Sequence, residues 1–357
     1  MTTFAKSLGK SSGALAGPLL KWYDRSKRDL PWRVAAGHPD PYHVLVSEAM
    51  LQQTQVATVV PYFHRFLAAL PTIADLAAAD EQIVLRLWQG LGYYSRARNL
   101  RKAAIAVMQQ HNGRMPSDVE LLLTLPGVGR YTAGAIASLA YDRRAPILDG
   151  NVVRVLSRLD AIEHDPRSPA MQKRLWARAE EILPPKRAGD FNSALMELGA
   201  TVCTPRNPQC LICPVAGQCL AYERQLQHVI PPPKKAKETP LLVRHVLCLR
   251  DSRGRFLVEQ RPPTGRWAGM WQFITRPTED FSDVLRTSTP ARTALGTVRH
   301  ALTHRRYEFH ASAASFDGVT DSEKWRWASP DELHHLPFSR PHLKIRALAE
   351  AAFGCHG

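Results

Sequence analysis

Apolar residues recur at intervals of three and four positions through most of the first 222 residues of the chain. This spacing places apolar side chains along one face of a helix. It is clearest in residues 44–60, 81–88, 100–110 and 172–182. Proline and glycine interrupt it at Pro41, Pro61, Gly90, Pro116 and Pro184. The pattern therefore predicts helices from Leu19 to about Tyr222, and no strand.

The pattern changes at Val229, where the run Val-Ile-Pro-Pro-Pro-Lys-Lys-Ala-Lys-Glu begins. A run this rich in proline and lysine does not pack well, so it is predicted to be a semi-rigid linker. Segments typical of strands follow at residues 241–249, 255–260, 305–314 and 324–328. The turn Asp251–Gly254 joins the first two, and residues 340–352 are predicted to form a helix.

The chain has 357 residues, of which 45% are hydrophobic and 22% charged, as in globular proteins with a sizeable core. We predict an all-α domain at residues 18–228 and a smaller α+β domain at 241–357, joined by a linker at 229–240. Residues 1–17 are expected to be a flexible leader. The short apolar run 14–20 is broken by Gly17 and Pro18, so neither a signal peptide nor a membrane span is expected.

The chain carries a formal net charge of +15 and has a pI near 9.8. Basic residues are in excess both before and after residue 240. Such a balance indicates a polyanionic partner that both domains contact, although a basic protein can also be merely soluble. We expect a monomer in the cytoplasm, associated with the nucleoid. In a reducing compartment, clustered cysteines favour metal ligation over disulfides.

Four of the six cysteines lie within 17 residues, at Cys203, Cys210, Cys213 and Cys219. A structural zinc site usually pairs two short Cys hooks across a longer gap, whereas these residues form one continuous wrap with two long arms. Four thiolates on so compact a loop suit a [4Fe–4S] cluster. Zinc and unliganded cysteines remain alternatives at this point.

Residues 122–137 contain an apolar helix end, the turn Pro-Gly-Val-Gly and the start of a second helix. In that turn, Gly127 and Gly129 flank Val128 and allow positive φ, so that backbone N–H groups can point outward at a helix N-terminus. Those donors suit a phosphate oxygen, contacted without regard to base sequence. The segment is a helix-hairpin-helix pattern, and the alternative is a plain tight turn.

Glu48 stands on a largely apolar predicted helix, among Val44, Leu45, Met50 and Leu51. Desolvation there raises the pKa of a carboxyl group and suits it to act as a general acid. Counting along one helix, Gln52 and Gln55 follow Glu48 at four and seven positions, which predicts a shared polar stripe. An exposed glutamate is the alternative.

A second carboxylate, Asp149, stands directly before a predicted helix that begins in Gly150-Asn151-Val152. The free N–H groups and the dipole of a helix N-terminus favour its ionised form. A simple N-cap is the usual role of such a residue. One carboxylic acid and one carboxylate are, however, what the cleavage of a glycosidic bond requires.

The Pro-Gly-Val-Gly hairpin, the segment Leu148–Val152 and the four-cysteine loop together resemble the helix-hairpin-helix DNA glycosylases. Within that group, Ser47–Gln55 and Gly90–Arg98 look like the adenine DNA glycosylase (MutY) family. The resemblance covers about residues 22–222, and residues 241–357 resemble the family's Nudix-like domain more loosely. It implies base-excision repair of double-stranded DNA, in which adenine mispaired with 8-oxoguanine or guanine is extruded from the duplex and removed.

The resemblance implies a role for each residue of the site. Glu48 would protonate N7 of adenine, and Asp149 would stabilise or capture the sugar oxocarbenium ion. Asn151 and Tyr131 would order the site and the water. Residues implied to contact the base or the stack beside the lesion are Trp32, Arg33, Gln53 and Tyr93.

Tyr131 occupies the position where the related endonuclease III branch places a Schiff-base lysine. A tyrosine cannot form an imine with the sugar, so the resemblance implies a monofunctional glycosylase. Two alternatives stay open. One is a glycosylase of the same fold that acts on pyrimidines or G:T mispairs, and the other is a non-catalytic iron–sulfur DNA-binding protein.

In the second domain, His300–His304 resembles the family's Phe-Ser-His segment, which implies that Thr303 and His304 contact 8-oxoguanine. Leu302 departs from the pattern because it replaces the aromatic residue. Ser193 also departs from it, since family members usually carry a longer Gln or Glu near the adenine pocket. No Nudix helix with its glutamate cluster is found in the sequence, so this domain is expected to bind and not to hydrolyse.

Overall fold

The computed structural model describes residues 12–34, 36–233, 238–286, 288–318 and 324–354. Grouped by their contacts, the described residues of 1–77 and 102–235 form one compact part, and those of 78–101 and 236–357 form another. The second part differs from the predicted C-terminal domain, because it also contains residues 78–101. Of the predicted linker, residues 234–237 lie outside the described residues.

All regular structure in the described residues up to 233 is helical, as predicted. A π-helical turn at Ile136–Ala140 continues the eighth helix, and short 3-10 turns lie at Cys210–Ile212 and Ala216–Gln218. None of the helices described is both long and apolar enough to cross a membrane. The helices are α1 (Ser12–Ser26), α2 (Pro41–Leu51), α3 (Val56–Ala69), α4 (Ile73–Ala78), α5 (Glu81–Leu87), α6 (Ser95–Gln110), α7 (Val119–Leu123), α8 (Arg130–Ala135), α9 (Gly150–Leu159), α10 (Pro169–Ile182), α11 (Ala188–Thr201) and α12 (Leu220–Glu223).

The predicted flexible leader is wrong for its last six residues. Helix α1 already begins at Ser12, and it buries Leu15 and Ala16 in the helical core. These apolar side chains gain more from packing than the chain loses in conformational freedom. Residues 1–11 of the predicted leader lie outside the described residues.

The predicted single helix over residues 44–60 is also wrong. Helix α2 ends at Leu51, and Gln53 has φ 58°, a left-handed conformation that a helix interior does not allow. Helix α3 then starts at Val56, and the predicted interruption at Pro61 lies inside it. Gln52 and Gln55 therefore flank a helix break and do not continue the face of Glu48.

Helices α9 and α11 form the centre of the helical core. Val152, Val155 and Leu156 of α9 are buried in a cluster that includes Leu195 and Leu198 of α11. The two backbones approach closely at Gly199, where an added Cβ would lie 2.6 Å from Cβ of Asn151. This packing fixes the N-terminus of α9.

The C-terminal domain is α+β, as predicted. In its described residues, six strands form one mixed sheet in the order β4-β5-β1-β3-β2-β6, in which β1 and β5 are parallel. Each face of the sheet carries its own apolar core. Two strands, β3 and β4, were not predicted. The elements are β1 (Leu241–Arg250), β2 (Phe256–Gln260), β3 (Trp271–Arg276), α13 (Ser282–Leu285), β4 (Thr293–Leu302), β5 (Arg305–Ser315), β6 (Trp325–Ala328), α14 (Pro330–His335) and α15 (Arg340–Ala352).

Polar contacts attach residues 78–101 to this domain. The Gln82 side chain donates to the Gly269 carbonyl at 3.2 Å and accepts from Nε1 of Trp271 at 3.2 Å. Arg98 donates to the Ala268 carbonyl at 2.7 Å. These hydrogen bonds hold residues 78–101 against residues 268–271, so this segment packs as part of the C-terminal domain.

We predict that Gly134→Ala lowers the free energy of unfolding by about 1–3 kcal/mol, because the added Cβ would lie 2.3 Å from the backbone oxygen of Pro146. Gly17→Ala, in α1, is the matched control, since nothing lies within 4 Å of its added Cβ. Helix propensity alone predicts a gain of about 0.5–1 kcal/mol there. Urea denaturation followed by circular dichroism measures both. A Gly134→Ala protein as stable as wild type would contradict the close packing.

Candidate active site

A cavity of about 1030 Å³ opens in the helical part of the molecule. Its walls come from the loop after α1, from α2 and the turn that follows it, and from α8, α11 and the N-terminus of α9. The predicted site residues that line it are Trp32, Arg33, Glu48, Gln53, Tyr131, Asp149 and Asn151. The fold thus brings together residues that are up to 119 positions apart in the sequence.

Glu48 lies on the inner face of α2 and is 5% exposed. The Tyr131 hydroxyl donates a hydrogen bond of 2.5 Å to its Oε2. Burial raises the pKa of Glu48 to about 7, the hydrogen bond from Tyr131 opposes that rise, and the charge of Asp149 adds to it. Near neutral pH, a large fraction of Glu48 therefore carries a proton.

Tyr131 is the second residue of α8, and its hydroxyl also approaches the Met196 sulfur at 3.5 Å. Burial raises the pKa of this phenol well above its ordinary value, and the neighbouring Glu48 and Asp149 add to the rise. The hydroxyl consequently stays protonated and acts as a fixed donor to Glu48.

Asp149 is the N-cap of α9, as predicted: its Oδ1 accepts the Val152 amide at 2.7 Å, and its Oδ2 accepts Nδ2 of Asn151 at 2.9 Å. These bonds favour its ionised form, as predicted, but they do not decide the direction of its pKa. Burial raises the pKa of Asp149, and these hydrogen bonds, with the charge of Arg154, oppose the rise. The N-terminus of α9 thus offsets a cost of burial that the sequence did not reveal.

Arg154, which was not predicted as a site residue, links Asp149 to the cysteine loop. One of its Nη atoms donates to Oδ1 of Asn151 at 2.8 Å, and its Nε donates to the Cys203 carbonyl at 2.8 Å. Since Asn151 in turn donates to Asp149, a continuous run of hydrogen bonds joins the carboxylate to the first cysteine.

Trp32 and Arg33 lie in the loop that follows α1. The indole is 9% exposed and packs edge-on against Phe63, with 5.5 Å between ring centroids. Arg33 pairs with Glu197 at 2.8 Å, and Arg28 pairs with the same carboxylate at 2.6 Å. Glu197 and Arg28 line the cavity and were not predicted.

Ser193, the position that departs from the family pattern, also lines the cavity. It hydrogen-bonds to the buried Tyr23 hydroxyl, and this bond partly offsets the rise in the Tyr23 pKa that burial causes. The hydroxyl groups of Ser193 and Tyr23 therefore lie together in the cavity wall.

Gln53 is exposed at the turn between α2 and α3 and lines the cavity mouth. The predicted hairpin lies outside the cavity lining, between α7 and α8, where Gly127 and Gly129 are exposed and Val128 is buried. Gly127 has φ 76°, but Gly129 has φ −92°, so only the first uses the left-handed region. The prediction of positive φ at Gly129 is wrong.

Tyr93 and Thr303 meet in the C-terminal part, with 2.6 Å between their hydroxyl oxygens. Tyr93 is 45% exposed and has φ 46°, and it follows Gly92 in a tight loop before α6. Thr303 and His304 form the exposed turn between β4 and β5, and Leu302 is partly buried at the end of β4. Two side chains predicted to contact the duplex at the lesion thus form one exposed pair.

The four clustered cysteines surround one small cavity, together with Arg158. Arg158 is buried, donates to the Cys203 sulfur at 3.3 Å, and fixes the loop through the Thr204 carbonyl at 2.7 Å. Four thiols around a cavity suit a group with several metal atoms, so these residues fit an iron–sulfur cluster held by all four thiolates.

Family comparisons agree with this architecture. The family described as "HhH-GPD superfamily base excision DNA repair protein" matches residues 46–181, a NUDIX domain matches residues 245–348, and the "iron-sulfur binding domain of endonuclease III" matches residues 203–219. The helical fold, its site and its cysteine loop therefore define a base-excision DNA glycosylase that carries a [4Fe–4S] cluster. The match to the iron–sulfur domain decides against zinc.

Comparison with individual proteins identifies the family within this class to which the chain belongs. The adenine DNA glycosylase of Homo sapiens is 37% identical over 93% of this chain and 73% of its own length, and that of Rattus norvegicus is 36% identical over 92% and 76%. A solved thermostable thymine-DNA glycosylase is 30% identical, with a TM-score of 0.54 over 60% of this chain and 97% of its own. The chain belongs to the adenine DNA glycosylase family.

We predict that Tyr131→Phe raises the pKa of Glu48 above its value of about 7, because the hydroxyl bond favours the charged carboxylate. Carboxyl-labelled glutamate followed by NMR through a pH titration measures the change. Tyr42→Phe is the matched control, since this buried tyrosine of α2 donates instead to the Leu70 carbonyl at 2.7 Å. An unchanged or lower Glu48 pKa in Tyr131→Phe would contradict the geometry.

We predict that Cys213→Ser lowers the iron and sulfide bound per chain severalfold, since one of four thiolate ligands is lost. Cys248→Ser is the control, because that cysteine is buried in the C-terminal sheet. Colorimetric iron and sulfide assays of the purified proteins measure the content. Equal iron in both variants would argue against this ligand set.

Proposed function

We propose that the protein hydrolyses the N-glycosidic bond of adenine in double-stranded DNA, at sites where adenine is mispaired with 8-oxoguanine or guanine. The observation that carries the proposal is the shared cavity, which is lined both by Glu48, with a pKa of about 7, and by the helix-capped Asp149. A volume of about 1030 Å³ is ample for an extruded nucleotide. Membership of the adenine DNA glycosylase family supports adenine as the base.

Glu48 acts as the general acid. Its proton passes to N7 of adenine, the bond from C1′ to N9 breaks, and the bonding electrons leave with a neutral adenine. A carboxyl group with a pKa of about 7 suits this role, since it carries its proton near neutral pH and still releases it. Tyr131 holds the carboxyl group in place through its hydroxyl.

Asp149 stabilises the positive charge that develops on the sugar. Its two oxygens are fixed by the Val152 amide and by the Asn151 side chain, so little reorganisation is needed as the charge appears. Water then attacks C1′, the proton it loses returns to the carboxylate of Glu48, and the hydrolysis is complete. With tyrosine at position 131, no amine forms an imine there, and the enzyme is monofunctional.

The base lies between the loop that carries Trp32 and Arg33 and the wall formed by α11. The half-buried Arg33 guanidinium and the Ser193 hydroxyl supply polar contacts to adenine, and Trp32 supplies an apolar surface. Gln53 occupies the stack at the mouth of the cavity. The hairpin at Gly127–Gly129 binds a backbone phosphate.

The Tyr93–Thr303 pair reads the base opposite the adenine. Both hydroxyls are exposed and already oriented by their mutual bond, so they present one donor and several acceptors to a purine edge. His304 stands beside them in the same turn. 8-Oxoguanine differs from guanine by the oxygen at C8 and the hydrogen at N7, and hydroxyl groups can distinguish these features.

A second candidate is the removal of thymine from G:T mispairs. The likeness to a solved thymine-DNA glycosylase favours it. A protonated acid suits adenine better, because N7 of adenine is a basic acceptor in the purine ring. Offering 8-oxoguanine:adenine and G:T duplexes in parallel separates the two candidates.

We predict that Glu48→Gln and Asp149→Asn each lower the single-turnover rate of adenine release by about 10²–10⁴-fold. Glu163→Gln, an exposed glutamate after α9, is the control and should leave the rate unchanged. Strand breaks after alkali treatment of an 8-oxoguanine:adenine duplex measure release. Breaks without alkali would contradict monofunctional chemistry, and wild-type rates in both carboxyl variants would refute the proposed function.

We predict that Thr303→Ala lowers the preference for adenine opposite 8-oxoguanine over adenine opposite guanine by about tenfold, which corresponds to the loss of one hydrogen bond of about 1.4 kcal/mol. Thr297→Ala, at an exposed threonine of the preceding strand β4, should keep the preference. The ratio of kcat/KM for the two duplexes measures it. If Thr303→Ala keeps the wild-type ratio, this turn does not read the lesion.

A further inference from the structure

Glu197 is a charged residue of the cavity wall to which the mechanism gives no part. It lies on α11 between Met196 and Leu198, and its side chain has no exposed surface. A carboxylate removed from water in this way is strongly destabilising unless cationic partners compensate it. The structure supplies two such partners, and both line the same cavity.

Those partners are the guanidinium groups of Arg28 and Arg33. Arg28 meets both Glu197 oxygens, at 2.6 Å and 3.0 Å, and its backbone amide donates to one of them at 3.2 Å. Arg33 donates to the second oxygen at 2.8 Å and to the Arg28 carbonyl at 2.9 Å. One carboxylate thus makes contacts at both ends of the segment 28–33.

The segment 27–34 forms neither helix nor strand, so its shape depends on such contacts. It also presents Trp32 and Arg33 to the cavity. We propose that Glu197 is a positioning residue, which holds Arg28 and Arg33 in the cavity wall and limits how much of their positive charge reaches Glu48. The inference deepens the proposed function and rests on it.

The charges around the two carboxyl groups determine in which direction the pKa of Glu48 should shift in each variant. Glu48 is faced by the Tyr131 hydroxyl, by Asp149 and by Arg33, and Arg33 lowers its pKa. Glu197 is faced by Arg28 and Arg33, and its charge also acts on the Tyr23 phenol of α1. Without the charge of Glu197, two cations lack their counterion and favour the ionised form of Glu48. Without the charge of Arg28, Glu197 is less compensated and disfavours that form.

The general acid must be protonated, so the rate of adenine release falls as the pH rises through the Glu48 pKa. This fall in rate is the alkaline limb of the pH–rate profile. We therefore expect Glu197→Gln to shift the alkaline limb to lower pH by about one unit, and Arg28→Gln to shift it to higher pH. Both substitutions break the same ion pair. A purely structural role would lower the rate at every pH and would leave the limb in place.

The experiment measures single-turnover adenine release from an 8-oxoguanine:adenine duplex between pH 5 and 9 for wild type and both variants. Asp160→Asn is the matched control, because Asp160 is a buried carboxylate paired with Arg178 at 3.2 Å elsewhere in the helical core. Its limb should coincide with that of wild type.

Opposite shifts in Glu197→Gln and Arg28→Gln support the inference, whereas unchanged limbs or shifts in the same direction overturn it. If circular dichroism shows Glu197→Gln to be unfolded, Arg28→Gln decides alone, since its side chain is 39% exposed and its loss should be tolerated. An upward shift then supports the inference and an unchanged limb overturns it. No release by wild type at any pH would refute the proposed function itself.

Discussion

The burial of one carboxyl group, Glu48, is the constraint on which the rest of the site depends. A buried carboxylate is unfavourable, so this group keeps its proton near neutral pH unless partners are supplied. The structure supplies one neutral donor, Tyr131, and leaves the group with a pKa of about 7. The cavity wall is therefore arranged to hold an acid in a defined position without ionising it completely.

Asp149 is partly buried beside the same cavity, but its surroundings differ. The amide of Val152 and the side chain of Asn151 bond its two oxygens, and such bonds stabilise the charged form. Glu48 receives a single hydroxyl bond by comparison. Two carboxyl groups in one cavity can thus be suited to two roles because their hydrogen-bond donors differ, which is a familiar arrangement for breaking glycosidic bonds. Arg154 extends the support of Asp149 to the carbonyl of Cys203, so the cysteine loop helps to hold the helix that carries it.

Much of the fold and of the site could be predicted from local sequence. The helical domain, the cysteine spacing and the acid within an apolar segment are properties of short stretches, and the structure places Glu48 as expected. The predicted polar stripe failed because the sequence pattern did not reveal the left-handed Gln53 that ends α2. Strand β4 was missed since most of its side chains are exposed and give no alternating apolar pattern. The direction of the Asp149 pKa depends on burial by residues distant in sequence, which no local pattern encodes. Glu197 carried the same signal as Glu48, a lone charge among apolar helix residues, and could have been found in the same way.

The central claim is that the proton of Glu48 passes to N7 of the adenine. Its most direct test replaces the adenine opposite 8-oxoguanine with 7-deazaadenine, which has a carbon at that position and cannot accept the proton. We expect this duplex to bind within about threefold of the normal one, its base to be released about 10³-fold more slowly, and Glu48→Gln to cause no further slowing. Release of 7-deazaadenine at the rate of adenine would contradict the account, because Glu48 would then act in some way other than protonating N7.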